Sequence, residues 1–130
     1  MLKEIKLDLT KNYKITLRDL KERLVNELGD KLDSLILYGS IARGDFGPES
    51  DIDMLLIVED KELDDKYSDL RYDIDVKNGT VTTLIAYTPR EIEIKVSQGF
   101  PFINNVLREG KIIYDNGTWA RLHRSLVSAR

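Results

Sequence analysis

The chain has no cysteine, which excludes disulfides and thiolate metal sites. It has no apolar run of membrane-spanning length, and its opening Met1-Leu2-Lys3-Glu4 is too charged for a signal peptide. A cytoplasmic protein without membrane contact is therefore expected. Excess positive charge is also missing: 20 Lys and Arg stand against 23 Asp and Glu, a net charge of −3. Direct nucleic-acid binding, which usually needs a basic surface, is not expected. Repeats, low-complexity tracts and Pro/Gly/Ser-rich linkers are absent, and the only histidine, His123, lies in a basic tail where a solvated role is expected. What is present is a chain of 130 residues, 42% apolar and 33% charged, the size and composition of a single globular domain over residues 1–130.

Hydrophobic spacing divides the chain into elements. Thr16 reads as a helix start, with Asp19 as a weaker form of capping box; Leu17, Leu20, Leu24 and Leu28 then recur at helical spacing up to a stop at Gly29. Leu35–Tyr38 and Ile52–Val58 read as buried strands, with a short helix or turn over Ile41–Phe46 between them. Lys61–Leu70 reads as a polar helix, the acidic run from Glu59 to Asp65 forming its solvated start. Tyr72–Val76 and Val81–Tyr87 read as two strands joined at Asn78-Gly79, a strong hairpin signal. Thr88-Pro89-Arg90-Glu91 opens a helix with a Thr cap, Pro at the first helical position and Glu at the third. A further helix is expected from Pro101 to near Gly110, then an edge strand over Ile112–Tyr114. In the tail from Thr118 to Arg130, Trp119, Leu122 and Leu126 share one helical face that packs on the domain. Helices alternating with strands imply an α/β (α+β) fold, a mixed sheet packed by helices.

The stretch from Leu37 to Val58, LYGSIARGDFGPESDIDMLLIV, carries the chemistry. Asp51 and Asp53, two apart at the start of a strand, point the same way. Two like charges side by side need a counter-charge, and a hard divalent cation such as Mg²⁺ supplies it through oxygen ligands. Metal ions held there can bridge to phosphate oxygens and stabilise both the attacking and leaving oxygens of phosphoryl or nucleotidyl transfer. Gly39 lets backbone approach a ligand closely, and the helix start that follows presents N–H groups to an anion. The Ser40 hydroxyl adds a donor, and the Arg43 guanidinium can reach a phosphate. Either dipeptide signal alone is commonplace, but Gly-Ser followed after ten residues by Asp-x-Asp arises by chance in roughly one such chain in a thousand.

These residues resemble the signature of the nucleotidyltransferase superfamily that includes the DNA polymerase beta palm, and most closely its minimal, single-domain prokaryotic (MNT) members. Gly39-Ser40, Ala42-Arg43-Gly44 and Ser50-Asp51-Ile52-Asp53 carry the motif, while YTPREIE (Tyr87 to Glu93) and PFINNVLREGKIIYD (Pro101 to Asp115) resemble the C-terminal half of the same proteins. The resemblance covers residues 17–115 and leaves the tail over 118–130. It implies that Asp51 and Asp53 bind Mg²⁺, two ions with nucleotide, and that Gly39, Ser40 and Arg43 hold a nucleoside triphosphate, in first place ATP. It also implies transfer of AMP to a hydroxyl, with a tyrosine of a HEPN-type toxin as candidate acceptor and that toxin, or a second copy of the chain, as partner. Active members carry a third carboxylate on a later strand. Here VTTLIAY offers Thr82 and Thr83 instead. Asp73 of the preceding YDIDVK segment is the chosen third acid, with Asp75 or no acid as the alternatives. Without one, the expectation shifts to a catalytically weak or inactive antitoxin-like module.

Overall fold

A computed structural model describes residues 11–47 and 49–128. The opening segment and the last two tail positions lie outside the described residues. The order is α1 (Lys11–Leu28), β1 (Leu32–Tyr38), α2 (Gly39–Arg43), β2 (Ile52–Val58), α3 (Asp64–Asn78), β3 (Thr82–Tyr87), α4 (Pro89–Ser97), α5 (Pro101–Glu109), β4 (Lys111–Asp115) and α6 (Thr118–Ser128). The strands form one mixed sheet in the order β3-β2-β1-β4. β1 is antiparallel to β2 and β4, and β2 is parallel to β3.

Strand alternation divides β2 between the two faces. Ile52, Met54, Leu56 and Val58 pack with Leu17, Leu20, Leu24 and Leu28 of α1 and with Tyr67, Leu70 and Ile74 of α3. Leu55 and Ile57 point the other way, against Ile92 of α4, Val106 and Leu107 of α5, and Trp119 and Leu122 of α6. Asp53 shares this second face, at the end of β2 where the covering helices stop short of closing over it: its side chain is half-exposed.

Several local expectations hold. Thr88 caps α4 in a full capping box, its Oγ1 accepting from Glu91 N–H at 3.2 Å while Thr88 N–H donates to Glu91 Oε1 at 2.9 Å. α5 begins at Pro101, β4 is an edge strand, and Trp119 and Leu122 are buried.

The hairpin is corrected. Residues 72–78 continue α3, and Asn78-Gly79 ends that helix, with Gly79 in the left-handed region at φ +69° and its N–H donating to Asp75 O at 2.8 Å. A left-handed Gly after Asn is a helix terminator as readily as a hairpin turn. Here Tyr67, Leu70 and Ile74, at helical spacing, bury on the sheet and decide the matter. The resulting β2–α3–β3 crossover is what a parallel strand pair requires.

Two smaller readings change as well. Thr16 lies inside α1 and is buried, its hydroxyl sharing a hydrogen bond with Thr80 at 2.9 Å and accepting from Asn78 Nδ2 at 3.1 Å. His123 is half-buried rather than solvated, one ring nitrogen lying 2.8 Å from Leu107 O. No described helix is long and apolar enough to cross a membrane.

Candidate functional site

β1 ends at Tyr38 and the chain turns into α2 through Gly39, whose φ is +80°. Tyr38 is the register partner of Asp53, so the turn meets the carboxylate. A Cβ built on Gly39 would collide with Asp53 Oδ2 and lie 3.2 Å from its Cγ. Both the left-handed backbone and this approach require glycine. Ser40 follows in the first turn of α2, and Gly44, at φ +85°, ends that helix after Arg43. Asp51 is exposed, immediately before β2.

Burial, and then the charge of Asp51, push the Asp53 carboxyl above its usual range, while Arg43 pulls it down. The three groups are thus electrostatically in touch. Arg43 is tied on its other side: Nε donates to Asp45 Oδ2 and Nη1 to Glu109 Oε1, each at 3.1 Å. Burial followed by the Asp53 charge raises the Tyr38 phenol to about 12, keeping it neutral in ordinary buffers, and its ring meets Phe102 edge-on at 5.1 Å.

The structure brings Gly39, Ser40, Arg43, Asp51 and Asp53 to one corner. It does not bring Asp73 there. Asp73 is exposed on α3, and α3 packs on the sheet face opposite to the one Asp53 occupies. Asp75 is buried in another role: its carboxylate accepts from Thr80 Oγ1 at 2.7 Å, Thr82 Oγ1 at 2.7 Å, Thr82 N at 2.8 Å and Arg71 Nη1 at 3.1 Å. It pins the start of β3 to the end of α3. The residue beside Asp53 on the neighbouring strand is Thr83, its register partner. Among the described residues, no three His, Cys, Asp or Glu side chains gather as a metal-holding group.

These placements make a paired test. Asp75→Ala is expected to destabilise the fold by about 1–3 kcal/mol, because it removes the acceptor of the buried Thr82 hydroxyl and N–H and of the Thr80 hydroxyl, and the carboxylate partner of Arg71. Asp73→Asn should stay within about 0.5 kcal/mol of the parent. Urea unfolding midpoints of the two variants decide between them.

Sequence reasoning missed Glu109 and Asp45 as partners of Arg43, and Tyr38 as the neighbour of Asp53. Adjacency to Gly39 was a usable signal for Tyr38. Glu109 lies 66 positions from Arg43, and no local pattern announces such a pair.

Comparisons with known proteins place the chain in a family. The family model described as a nucleotidyltransferase domain matches residues 17–114. The chain is 33% identical over 103 residues to the Methanocaldococcus jannaschii "Putative protein adenylyltransferase MJ0604", covering 79% of this chain and 99% of that one. It is 26% identical over 101 residues to an aminoglycoside nucleotidyltransferase (4') of Staphylococcus aureus, covering 76% of this chain and 38% of that one. Among solved structures, the fold is similar to a chain from a Shewanella oneidensis complex of a tri-AMPylated HEPN toxin with its MNT antitoxin (TM-score 0.51, 15% identity, 88% of this chain and 85% of that one). It is also similar to a chain of a toxin–antitoxin structure with AMP-PNP (TM-score 0.57, 17% identity, 85% of this chain and 83% of that one). The chain belongs to the nucleotidyltransferase domain family.

Proposed function

We propose that this corner binds a nucleoside triphosphate with Mg²⁺ and transfers the nucleoside monophosphate, AMP from ATP, to a hydroxyl of a protein partner. The observation that carries the reading is the packing of Gly39 directly against Asp53: a bare backbone turn stands beside an acid whose charge is strained by burial and by Asp51. Hard carboxylate oxygens of this kind fit a divalent cation. Asp51 and Asp53 would hold the metal, two ions when the nucleotide is present, and it supplies positive charge to the triphosphate and the departing pyrophosphate. Gly39 admits phosphate close to the backbone, Ser40 donates its hydroxyl, and Arg43 offers its guanidinium to the anion.

In the transfer, the acceptor oxygen bonds to the α-phosphorus and the bond from that phosphorus to the bridging oxygen breaks. Pyrophosphate leaves with the electron pair, and the hydroxyl proton passes to water or to a group of the partner. A tyrosine of a HEPN-type toxin is the acceptor we favour, in line with the AMPylated complex whose antitoxin shares this fold. The setting would be cytoplasmic.

A second reading has its own observation. Thr83 stands in register beside Asp53, and no third acid joins the pair among the described residues. A weakly active or inactive antitoxin-like module, which binds nucleotide and covers its partner, fits that arrangement.

One assay separates the two: transfer of label from the α-phosphate of ATP to the purified partner, by the parent chain and by Thr83→Asp. Transfer by the parent establishes the enzyme. Transfer only by Thr83→Asp, with a gain of at least about a hundredfold of the kind a positioned base contributes, establishes the second reading. Failure of both proteins to bind ATP with Mg²⁺ would sink both. A separate expectation concerns Arg43→Ala, which should weaken triphosphate binding by about 1.5–3 kcal/mol and nucleoside binding far less. Calorimetry with ATP and adenosine measures the difference.

A further inference from the structure

α1 covers the sheet face remote from Asp53, yet one of its side chains reaches the loop that carries Asp51. Tyr13 is only 5% exposed, packed in the core with Leu17 and Leu20. Its hydroxyl donates to the carbonyl oxygen of Ser50 at 2.8 Å, across 37 positions of sequence. That carbonyl belongs to the peptide unit joining Ser50 to Asp51, so the bond grips the backbone at the carboxylate's root.

The rest of the loop is tied mainly to itself. Gly47 N–H donates to Ser50 Oγ at 2.9 Å and Ser50 N–H to Gly47 O at 3.2 Å. Phe46 adds a ring contact to Tyr13, with centroids 6.1 Å apart. On the far side of Asp51, Ile52 N–H donates to Val81 O at 2.9 Å. Among the described residues, Asp51 therefore hangs between two anchors, the start of β3 and the Tyr13 hydroxyl, of which the second is a side chain. Burial, with the charges of Asp51 and Glu49 behind it, pushes the Tyr13 phenol above its usual range, so it remains a protonated donor at neutral pH.

We infer that Tyr13 is a positioning residue for the metal-nucleotide site: by holding the Ser50 carbonyl it fixes where Asp51 presents its carboxylate. The inference rests on the proposed function for its ligand. A site whose two acids repel each other gains from an anchor that keeps both aimed at one point before the cation arrives, since a supporting shell of hydrogen bonds is what holds ligand side chains in place.

Tyr13→Phe removes the hydroxyl and keeps the ring in the core. Two measurements on this variant test the inference. The first is hydrogen exchange of the amides over residues 45–51 in metal-free, nucleotide-free protein. The second is the Mg²⁺ concentration that half-saturates ATP binding by calorimetry. Expected are faster exchange centred on that loop and a half-saturating Mg²⁺ concentration about fivefold higher, the worth of one hydrogen bond, with a melting temperature lower by no more than the few degrees that one hydrogen bond is worth. Unchanged loop exchange, or an unchanged half-saturating Mg²⁺ concentration, overturns the inference while leaving the proposed function standing. So does a loss of affinity that merely accompanies a melting temperature lowered well beyond those few degrees. A parent chain that fails to bind ATP with Mg²⁺ overturns the proposed function, and with it the claim that Tyr13 serves a metal-nucleotide site.

Discussion

Asp53→Asn is expected to yield a protein that is more stable than the parent and unable to bind ATP with Mg²⁺. Burial and Asp51 hold the Asp53 carboxyl above its usual range in the folded chain. A folded state that binds its proton more tightly than the unfolded state loses stability as pH rises from the unfolded value, about 3.9, through the raised folded value. Above that window the ionised carboxylate is a standing destabilisation. Asparagine removes the charge and with it this cost. Measured across the acid range, the parent should lose stability with rising pH through the window, and Asp53→Asn should lack that component. At neutral pH the variant should unfold at higher denaturant. Its affinity for ATP in Mg²⁺ should fall more than about a hundredfold, beyond what is typical for loss of an outer-shell partner. A variant less stable than the parent would contradict the strained-carboxylate picture. One that still bound Mg²⁺ and ATP normally would remove Asp53 from the site.

Gly39→Ala should damage both fold and site. At φ +80° an L side chain costs about 1–2 kcal/mol from the backbone alone. Its Cβ must also displace the Asp53 carboxylate, with which it would collide. The expected total is about 1–2 kcal/mol, mostly the backbone strain, since the half-exposed Asp53 carboxylate can turn aside, and metal-dependent ATP binding should be lost. Adding Asp53→Ala separates the contributions. The second change relieves the clash with Oδ2 and recovers part of the stability, but leaves the backbone strain. If Asp53→Ala stabilises the Gly39→Ala background no more than it stabilises the parent, Asp53 is not what the glycine avoids.

The elements that could be read in the sequence are those whose causes are local. The capping box at Thr88 and Glu91 satisfies its own backbone groups, Pro101 opens α5, and the Trp119 and Leu122 stripe buries as its spacing implies. The corner built from Gly39, Arg43, Asp51 and Asp53 was legible for the same reason, since it comes from one short stretch around a strand end. The hairpin at Asn78-Gly79 was misread because a left-handed glycine serves a helix end equally well, and only the sheet packing of Leu70 and Ile74 distinguishes the two. Asp73 lies away from the corner for the same reason, as its place beside the sheet depended on the segment being a strand. Of Thr82 and Thr83, both standing where an acid was expected, Thr83 is the one in register with Asp53. The contacts between Tyr13 and Ser50 and between Arg43 and Glu109 span long sequence separations, and no periodicity encodes them.

The sheet order has a consequence for how the chain assembles. β1 and β2 are neighbours in sequence, so Gly39 can close on Asp53 through a short loop whose closure costs little entropy. The other flank of β1 waits for β4: Ser34 pairs with Asp115, 81 positions on. During synthesis from the N-terminus, the β1–β2 pairing can therefore form while α4, α5 and α6 are still emerging. Until they arrive, Ile36, Leu55 and Ile57 lie on an uncovered face and β1 keeps an open edge. The interval in which the Gly39–Asp53 corner exists without its helical cover is also when the nascent chain is most prone to pair with a neighbouring strand.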